Sequence, residues 1–328
     1  MKILLIGGTR FVGRHIVNEL FGRGYRPTLF NRGTNNVFPQ LRTIAGDRDN
    51  PGDLAKIADE NWDVVIDTCA YFPRQVRMLK DAMGPGVRYV LISSISVYKD
   101  QDIAYQAEDA DVIELPENTP EKITGETYGG LKALCETAAK CVSNAPLIIR
   151  PGLIVGPYDT TDRFSFWPFR ALNQARVLVP DCPRLPVQFI DARDLSVFIA
   201  DSIEKGLSGI FNLVNSPGEF CFHDLITACF TRNNSRSVPI VVSEKFLLDN
   251  KVQPWVDLPF WSPGSECNFM LTSNEKARNS GLKTRSIEET IKDLSDWFVE
   301  VDKKTQQAGM PSEKEELLLQ QWERLNCL

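Results

Sequence analysis

The sequence predicts an α/β fold: a doubly wound parallel sheet followed by a smaller C-terminal domain. Two observations predict it. The first half alternates short β-rich runs with helical stretches, and most of the runs are near-continuously apolar, as in parallel strands buried on both faces. A glycine-rich turn, Gly7-Gly8-Thr9-Arg10-Phe11-Val12-Gly13, stands between the first run and the first helical stretch. Hydrophobic residues make up 43% of the 328 and charged residues 24%, the balance of an ordinary globular core, and the length suits two domains.

Taken in order, strands are expected at 2–6, 27–30, 42–45, 63–66, 88–92 and 147–149, with helices at 11–23, 51–59, 73–83 and 126–143 between them. The last helix carries Leu131, Leu134, Cys135, Ala138, Ala139 and Val142 as an apolar stripe at helical spacing. After Arg150-Pro151 the pattern loosens. Prolines punctuate 151–186, and aromatic residues gather at Phe164, Phe166, Trp167 and Phe169. A strand at 188–190 leads into a helix at 192–204, and another strand is expected at 210–214. The stretch 216–273 is mixed, with a Pro/Trp-rich piece at 254–263. Two amphipathic helices close the chain, at 287–301 and 312–325, and Ser312 and Glu315 have capping-box spacing at the start of the second. The nucleotide-binding domain is thus expected over 1–157, completed by about 187–214, and the smaller substrate-binding domain over 158–186 and 215–328.

Composition narrows the function classes. No apolar run reaches the roughly 18 residues that span a membrane. The opening apolar run is too short for a signal peptide and meets a glycine turn at once. The net charge of −6 and a pI near 5.2 weigh against a nucleic-acid partner. The eight cysteines form no C-x-x-C pair and read as reduced thiols of a cytoplasmic protein. With only His15 and His223, zinc sites and Ser-His-Asp chemistry are poorly supplied, and both histidines read as structural.

The turn carries the first chemistry. Its glycines let backbone approach a pyrophosphate, and the helix that follows offers free N–H groups and the positive end of its dipole. Gly7, Gly8, Thr9, Arg10, Phe11, Val12 and Gly13 are therefore candidate cofactor-binding residues of a Rossmann-type domain. Gly7 and Gly13 fill the outer positions of G-x-x-G-x-x-G, whereas Arg10 stands at the middle one. The second strand ends in Asn31-Arg32, where an NAD enzyme usually carries an acid for the adenosine ribose. Without that carboxylate a 2′-phosphate is not repelled, and Arg10 and Arg32 can pair with it. NADP(H) is favoured and NAD(H) stays open. Asp47, after the third strand, either accepts from the adenine amino group or caps the next turn.

The second chemistry lies further on. Tyr128 and Lys132 are four residues apart and share a helix face. A phenol titrates near pH ~10, so a nearby ammonium that stabilises the phenolate helps it act as a base. Ser93, Ser94 and Ser96 stand just past the fifth strand, and a serine there can bind a substrate oxygen and orient it toward Tyr128.

These motifs resemble the extended, atypical short-chain dehydrogenase/reductases, the NAD(P)-dependent epimerase/dehydratase-like family. The likeness runs through GGTRFVG, SSISVY and YGGLK, then 150–157 and 188–195, about two-thirds of the chain. It implies Ser94, Tyr128 and Lys132 as the catalytic set, flanked by Ser93 and Ser96. GGTRFVG with Asn31-Arg32-Gly33 resembles a subgroup holding bacterial proteins called epimerase or isoflavone-reductase-like and chloroplast stem-loop RNA-binding proteins. Two departures bear on the reaction. Ile95-Ser96 replace the Asp-Glu that the family's nucleotide-sugar dehydratases carry after the catalytic threonine. Val187 replaces the arginine that holds the diphosphate in its sugar-nucleotide epimerases, with Arg163, Arg184 or Arg193 as substitutes.

The resemblance thus implies an oxidoreductase or epimerase acting on a hydroxyl or keto carbon of a small molecule, with a sugar or sugar derivative as substrate. The alternative is a non-catalytic NADP(H) sensor or RNA-binding protein on the same fold. The aromatic residues 164–169 with Trp255, Phe260 and Trp261 either line the substrate pocket or pack as core. The resemblance also implies a homodimer through helices 73–83, with Val76, Leu79 and Met83 at helical spacing, and 126–143.

Overall fold

The computed structural model describes residues 1–58, 60–83, 86–116, 119–232, 237–264 and 267–326. The expected helix end at 59 and Cys327 lie outside them. The first half runs β1 (Ile3–Ile6), α1 (Phe11–Gly22), β2 (Thr28–Asn31), β3 (Thr43–Ala45), α2 (Pro51–Ala58), β4 (Val64–Asp67), α3 (Pro73–Ala82), β5 (Arg88–Ile92), α4 (Tyr128–Val142) and β6 (Leu147–Pro151). A later strand, Gly209–Leu213, joins the outer edge of β6. The sheet order is Gly209–Leu213, β6, β5, β4, β1, β2, β3, with every pair parallel. The α/β doubly wound sheet expected from the sequence is therefore present.

Period-two alternation splits the strand residues between two cores. Ile3 and Leu5 of β1 face one side, with Ile16, Val17 and Leu20 of α1 and Leu195, Phe198 and Ile199 of the helix Ala192–Lys205. Leu4 and Ile6 face the other, with Leu54 and Ile57 of α2, Val76 and Leu79 of α3, and Cys135, Ala138 and Ala139 of α4. Leu5 and Leu4 are both fully buried, which is why β1 reads as unbroken hydrophobe rather than as an alternating strand. The chain builds β1, β2 and β3 outward, then returns to the far side of β1 for β4. That reversal opens a crevice at the carboxyl ends of β1 and β4, the usual ligand position in an open α/β sheet.

The rest of the chain builds a third core. Phe164, Phe166, Trp167 and Phe169 are buried there with Phe260 and Trp261, so of the aromatic residues weighed for the pocket these pack as core. Two short parallel pairs frame it: Leu153–Val155 with Phe189–Asp191, and Arg176–Pro180 with Val238–Val242. The second pair was not expected, since its strands lie far apart in a segment that reads as mixed.

Two expectations are corrected here. Glu315 does not close a capping box on Ser312. It turns inward, where Oε2 accepts from Arg170 at 2.7 Å and Oε1 accepts from the Leu178 amide at 2.9 Å. A buried guanidinium outcompetes the helix terminus for that carboxylate. Val76 and Leu79, part of the stripe expected at a dimer interface, are 0% and 1% exposed because α3 spends its apolar face on its own sheet.

One local fit positions the site. A Cβ on Gly129 would lie 1.9 Å from the Ser96 carbonyl oxygen, and one on Gly130 would lie 2.4 Å from Leu115 Cγ. The first turn of α4 therefore presses onto the loop after β5 because it lacks side chains there. Gly129→Ala is expected to push α4 off this loop and lower stability by about 1–3 kcal/mol, the scale of overpacking. Gly125→Ala, whose Cβ would meet nothing within 4 Å, is expected to leave the denaturant midpoint nearly unchanged. Urea unfolding of the two variants beside wild type checks this; equal midpoints would refute it.

Candidate dinucleotide-binding cleft and active site

A cleft of about 1070 Å³ opens at the carboxyl ends of the strands. The turn Gly7–Gly13, Asn31, Arg32, Asp47, Ser94, Tyr128 and Lys132 all line it, so every residue proposed from sequence for cofactor or catalysis reaches one space.

Gly7 and Gly8 adopt φ of +101° and +91°, a conformation that favours glycine. A Cβ on Gly13 would lie 2.7 Å from Gly8 Cα, so the third glycine lets α1 pack against the turn. The N-cap residue of α1, Arg10, is extended at φ −122° and ψ 156°, makes no side-chain cap, and is followed by no acid in the first turn. The first amides of α1 are thus uncapped by any side chain and face the cleft, as an anion-binding helix start requires. This geometry fits the pyrophosphate of a dinucleotide.

The adenosine end is shaped by polar contacts. Asn31 spends both ends of its amide on the turn: Nδ2 donates to Gly7 O at 3.3 Å, and Oδ1 accepts from Gly33 N at 2.8 Å. Arg10 and Arg32 are exposed at the cleft wall. Asp47 Oδ1 accepts from Asp49 N at 3.0 Å, and its own amide donates to Asp53 Oδ2 at 2.9 Å. Of its two readings, this arrangement displays the turn-shaping one.

The neighbouring Arg48 was not singled out from sequence for any role. Its guanidinium forms a fork on Asp67 at 2.6 and 2.8 Å, and Tyr89 donates to the same carboxylate at 2.8 Å. Burial raises the Asp67 carboxyl, but Arg48 more than offsets this and holds it below the usual carboxylate range. No local motif flags Arg48, because its partner lies 19 residues away on another strand.

At the catalytic end, β5 runs into Ser93 and Ser94 and a 3-10 turn, Ile95–Val97. The serines divide their work. Ser93 Oγ donates to Glu136 Oε1 at 2.6 Å; the same carboxylate takes a fork from Arg150 at 2.9 and 2.7 Å. Ser94 Oγ accepts from the Ser96 amide at 3.1 Å and donates to Ser96 Oγ at 3.0 Å, and it lies close enough to the Tyr128 hydroxyl to favour its ionised form. Ser94 and Tyr128 therefore meet, whereas Ser93 belongs to a buried ion pair.

Lys132 reaches the cleft from the same helix as Tyr128. Its ammonium is 3% exposed and donates to Ala70 O at 2.8 Å and Ile92 O at 2.6 Å, with the Tyr71 ring centroid 5.4 Å away. Burial lowers the Lys132 ammonium. Burial also raises the Tyr128 phenol, an effect that Ser94 partly opposes. Arg163 also lowers the Tyr128 phenol, by less than burial raises it.

Beyond Tyr128 the cleft is walled by Leu153, Asp159, Arg163, Trp255 and Phe269. Trp255 has φ of +61° and packs 5.5 Å from the Phe269 ring, so of the aromatic candidates it is the one that reaches the cleft. Of the three arginines considered for the diphosphate, Arg163 lines the cleft. Arg193 is tied to Asp191 and Asp293, and Arg184 is exposed on the surface. His15 Nε2 lies 2.9 Å from Pro157 O and His223 Nε2 lies 3.3 Å from Thr227 Oγ1, both outside the cleft. No helix among the described residues is long and apolar enough to cross a membrane.

Residues 3–82 match the NAD dependent epimerase/dehydratase family. The chain is 27% identical over 249 residues to the chloroplast stem-loop binding protein of 41 kDa b of Arabidopsis thaliana, covering 70% of this chain and 62% of that one. The chain thus spans under two thirds of that relative's length. Among solved structures, a UDP-glucose 4-epimerase superposes with a TM-score of 0.70 at 16% identity, over 94% of this chain and 100% of the other. The Bordetella bronchiseptica enzyme WbmG, solved with NAD and UDP, superposes with a TM-score of 0.64 at 15% identity, over 92% and 96%. The resemblance read from the motifs is borne out to this extent: residues 3–82 match the NAD dependent epimerase/dehydratase family, and the chain as a whole shares the fold of these solved structures.

Proposed function

We propose that the protein is an NAD(P)-dependent oxidoreductase or epimerase that acts on a carbinol or keto carbon of a small, sugar-like molecule. One observation carries the reading. Ser94, Tyr128 and Lys132 line the same cleft as the uncapped start of α1.

The roles follow from the contacts. Ser94 Oγ takes the Ser96 amide and points its proton at Ser96 Oγ; rotated onto a substrate oxygen, that proton holds the oxygen and leaves the substrate's own proton for Tyr128. Ser94 then holds the substrate oxygen next to the Tyr128 oxygen, which takes its proton in one direction and returns it in the other. Lys132 has three N–H donors and spends two on Ala70 and Ile92. The third is free to hold a nicotinamide ribose and, once there, adds positive charge beside the phenol. A bound nicotinamide dinucleotide supplies two-electron oxidation and reduction at the substrate carbon. Ile95 and Ser96 occupy the places of an acid–base pair for elimination, so dehydration is disfavoured. A second reading, nucleic-acid binding, draws on the likeness to a stem-loop binding protein and is opposed by the net charge of −6.

We also assign NADP(H) as the preferred cofactor. Asn31 presents no carboxylate to a 2′-phosphate and has both amide ends occupied, while Arg10 and Arg32 stand at the cleft wall. Seven described cysteines are free thiols, which supports a reducing compartment such as the cytoplasm.

Tyr128→Phe is expected to cut turnover about 100- to 10,000-fold, the usual contribution of positioned proton transfer, with cofactor affinity kept. Lys132→Met is expected to lose activity and to weaken cofactor binding. Ser94→Ala is expected to cost less than Tyr128→Phe. A screen of sugars and ketones by cofactor absorbance, with RNA gel shifts beside it, checks this; RNA binding with no turnover would favour the second reading.

In fluorescence titrations NADP(H) is expected to bind more tightly than NAD(H), and Arg32→Asp to narrow or reverse the preference. A tenfold preference for NAD(H), about 1.4 kcal/mol, would overturn the assignment.

The homodimer is proposed through the outer faces of α3 and α4, which present Arg77, Lys80, Leu134 and Thr137. Light scattering at micromolar concentration is expected to give twice the chain mass, reverting to one on Leu134→Glu; a wild-type monomer would refute it.

A further inference from the structure

The cations that line the cleft are Arg10, Arg32, Arg48, Lys132 and Arg163. Four have an evident use. Arg10 and Arg32 stand at the adenosine and phosphate end, Arg48 is forked on Asp67, and Lys132 is held by Ala70 O and Ile92 O. Arg163 has none. Its five donors make one long hydrogen bond, Nε to Thr161 Oγ1 at 3.4 Å, and no ion pair among the described residues.

The nearest carboxylate does not take it. Asp159, 4% exposed, lines the same wall, but Oδ1 accepts from Thr161 N at 2.8 Å and Oδ2 from Thr161 Oγ1 at 3.0 Å. The loop thus turns the carboxylate onto its own threonine. Four other arginines of this chain, Arg48, Arg150, Arg170 and Arg193, meet carboxylates at 2.6–2.7 Å. Arg163 instead stays exposed and lines the same cleft as Tyr128, from the loop before the buried Phe164.

A guanidinium fork is matched to carboxylate and phosphate. We propose that Arg163 binds an anionic group of the substrate, a carboxylate or phosphate carried close to the carbon that reacts at Tyr128. This deepens the proposed function and rests on it for the identity of the reacting carbon. It narrows the substrate class to acidic sugars or sugar phosphates whose charge sits near the reacting end.

Calorimetric titration of the NADP+-saturated protein tests it, because the bound cofactor already fills the phosphate turn. The probes are glucose, glucuronate and glucose 6-phosphate. Wild type is expected to bind at least one anionic probe about tenfold or more tightly than glucose, the scale of one charged hydrogen-bonded contact. Glucuronate ahead identifies a carboxylate site, and glucose 6-phosphate ahead identifies a phosphate site. Arg163→Met is expected to erase the preference and Arg163→Lys to restore it in part, with thermal midpoints near wild type since the guanidinium carries little structure. Equal affinity for glucose, absence of binding by both anions, or a preference that survives in Arg163→Met would overturn the proposal. Tyr128→Phe is expected to keep the anion preference, so binding through Arg163 and failure of the redox reading show up separately.

Discussion

The active-site geometry depends on one buried ion pair. Glu136 of α4 takes a fork from Arg150 of β6 and a hydroxyl from Ser93 at the end of β5. Arg150 also donates to Glu108 O at 3.1 Å and lies 5.0 Å from the Tyr98 ring centroid. Three elements of the catalytic end are thus tied at one point. Both charges are nearly fully buried, so their desolvation is costly and only good geometry offsets it. The fork, the serine and the backbone carbonyl provide that geometry. Stripping one partner from such a pair typically costs about 3–5 kcal/mol, because the other charge is left buried and alone. The pair accordingly sets the register of α4 on the sheet, and with it the meeting of Tyr128 and Ser94 one helical turn or two away.

The cleft floor follows the same logic. Arg48 and Asp67 form a second buried fork, with Tyr89 donating from β5. Asp67 closes β4, beside Thr68, whose Oγ1 donates to Ile6 O at the end of β1. The fork therefore clamps the loop after β3 onto the point where the strand order reverses. An ion pair does here what a hydrophobic contact cannot: it fixes a polar backbone segment at the edge of a water-filled cleft without covering it.

Much of this was legible in the sequence, for a stated reason. Runs such as Ile3-Leu4-Leu5-Ile6 announce strands buried on both faces, and a glycine turn joining strand to helix announces a phosphate. The pair Tyr128 and Lys132 is local, four residues on one helix, so spacing alone places both on one face. What was missed is non-local. Arg48 with Asp67, Glu136 with Arg150, and Glu315 with Arg170 join residues 14 to 145 positions apart, and nothing in either local sequence marks the partner. Glu315 shows the failure clearly. Its spacing from Ser312 satisfied a local rule, and a buried guanidinium on another helix overrode it. The stripe of α3 failed similarly, since periodicity reports that a face is buried and not whether its own sheet or a second copy buries it.

The same distinction explains the role of Lys132. From spacing, an ammonium one turn from a phenol should favour the phenolate, and the motif invites that reading. The fold buries the ammonium at the cleft, where it donates to two backbone carbonyls and keeps one N–H unspent. With the ammonium so held, burial dominates and the phenol is pushed up.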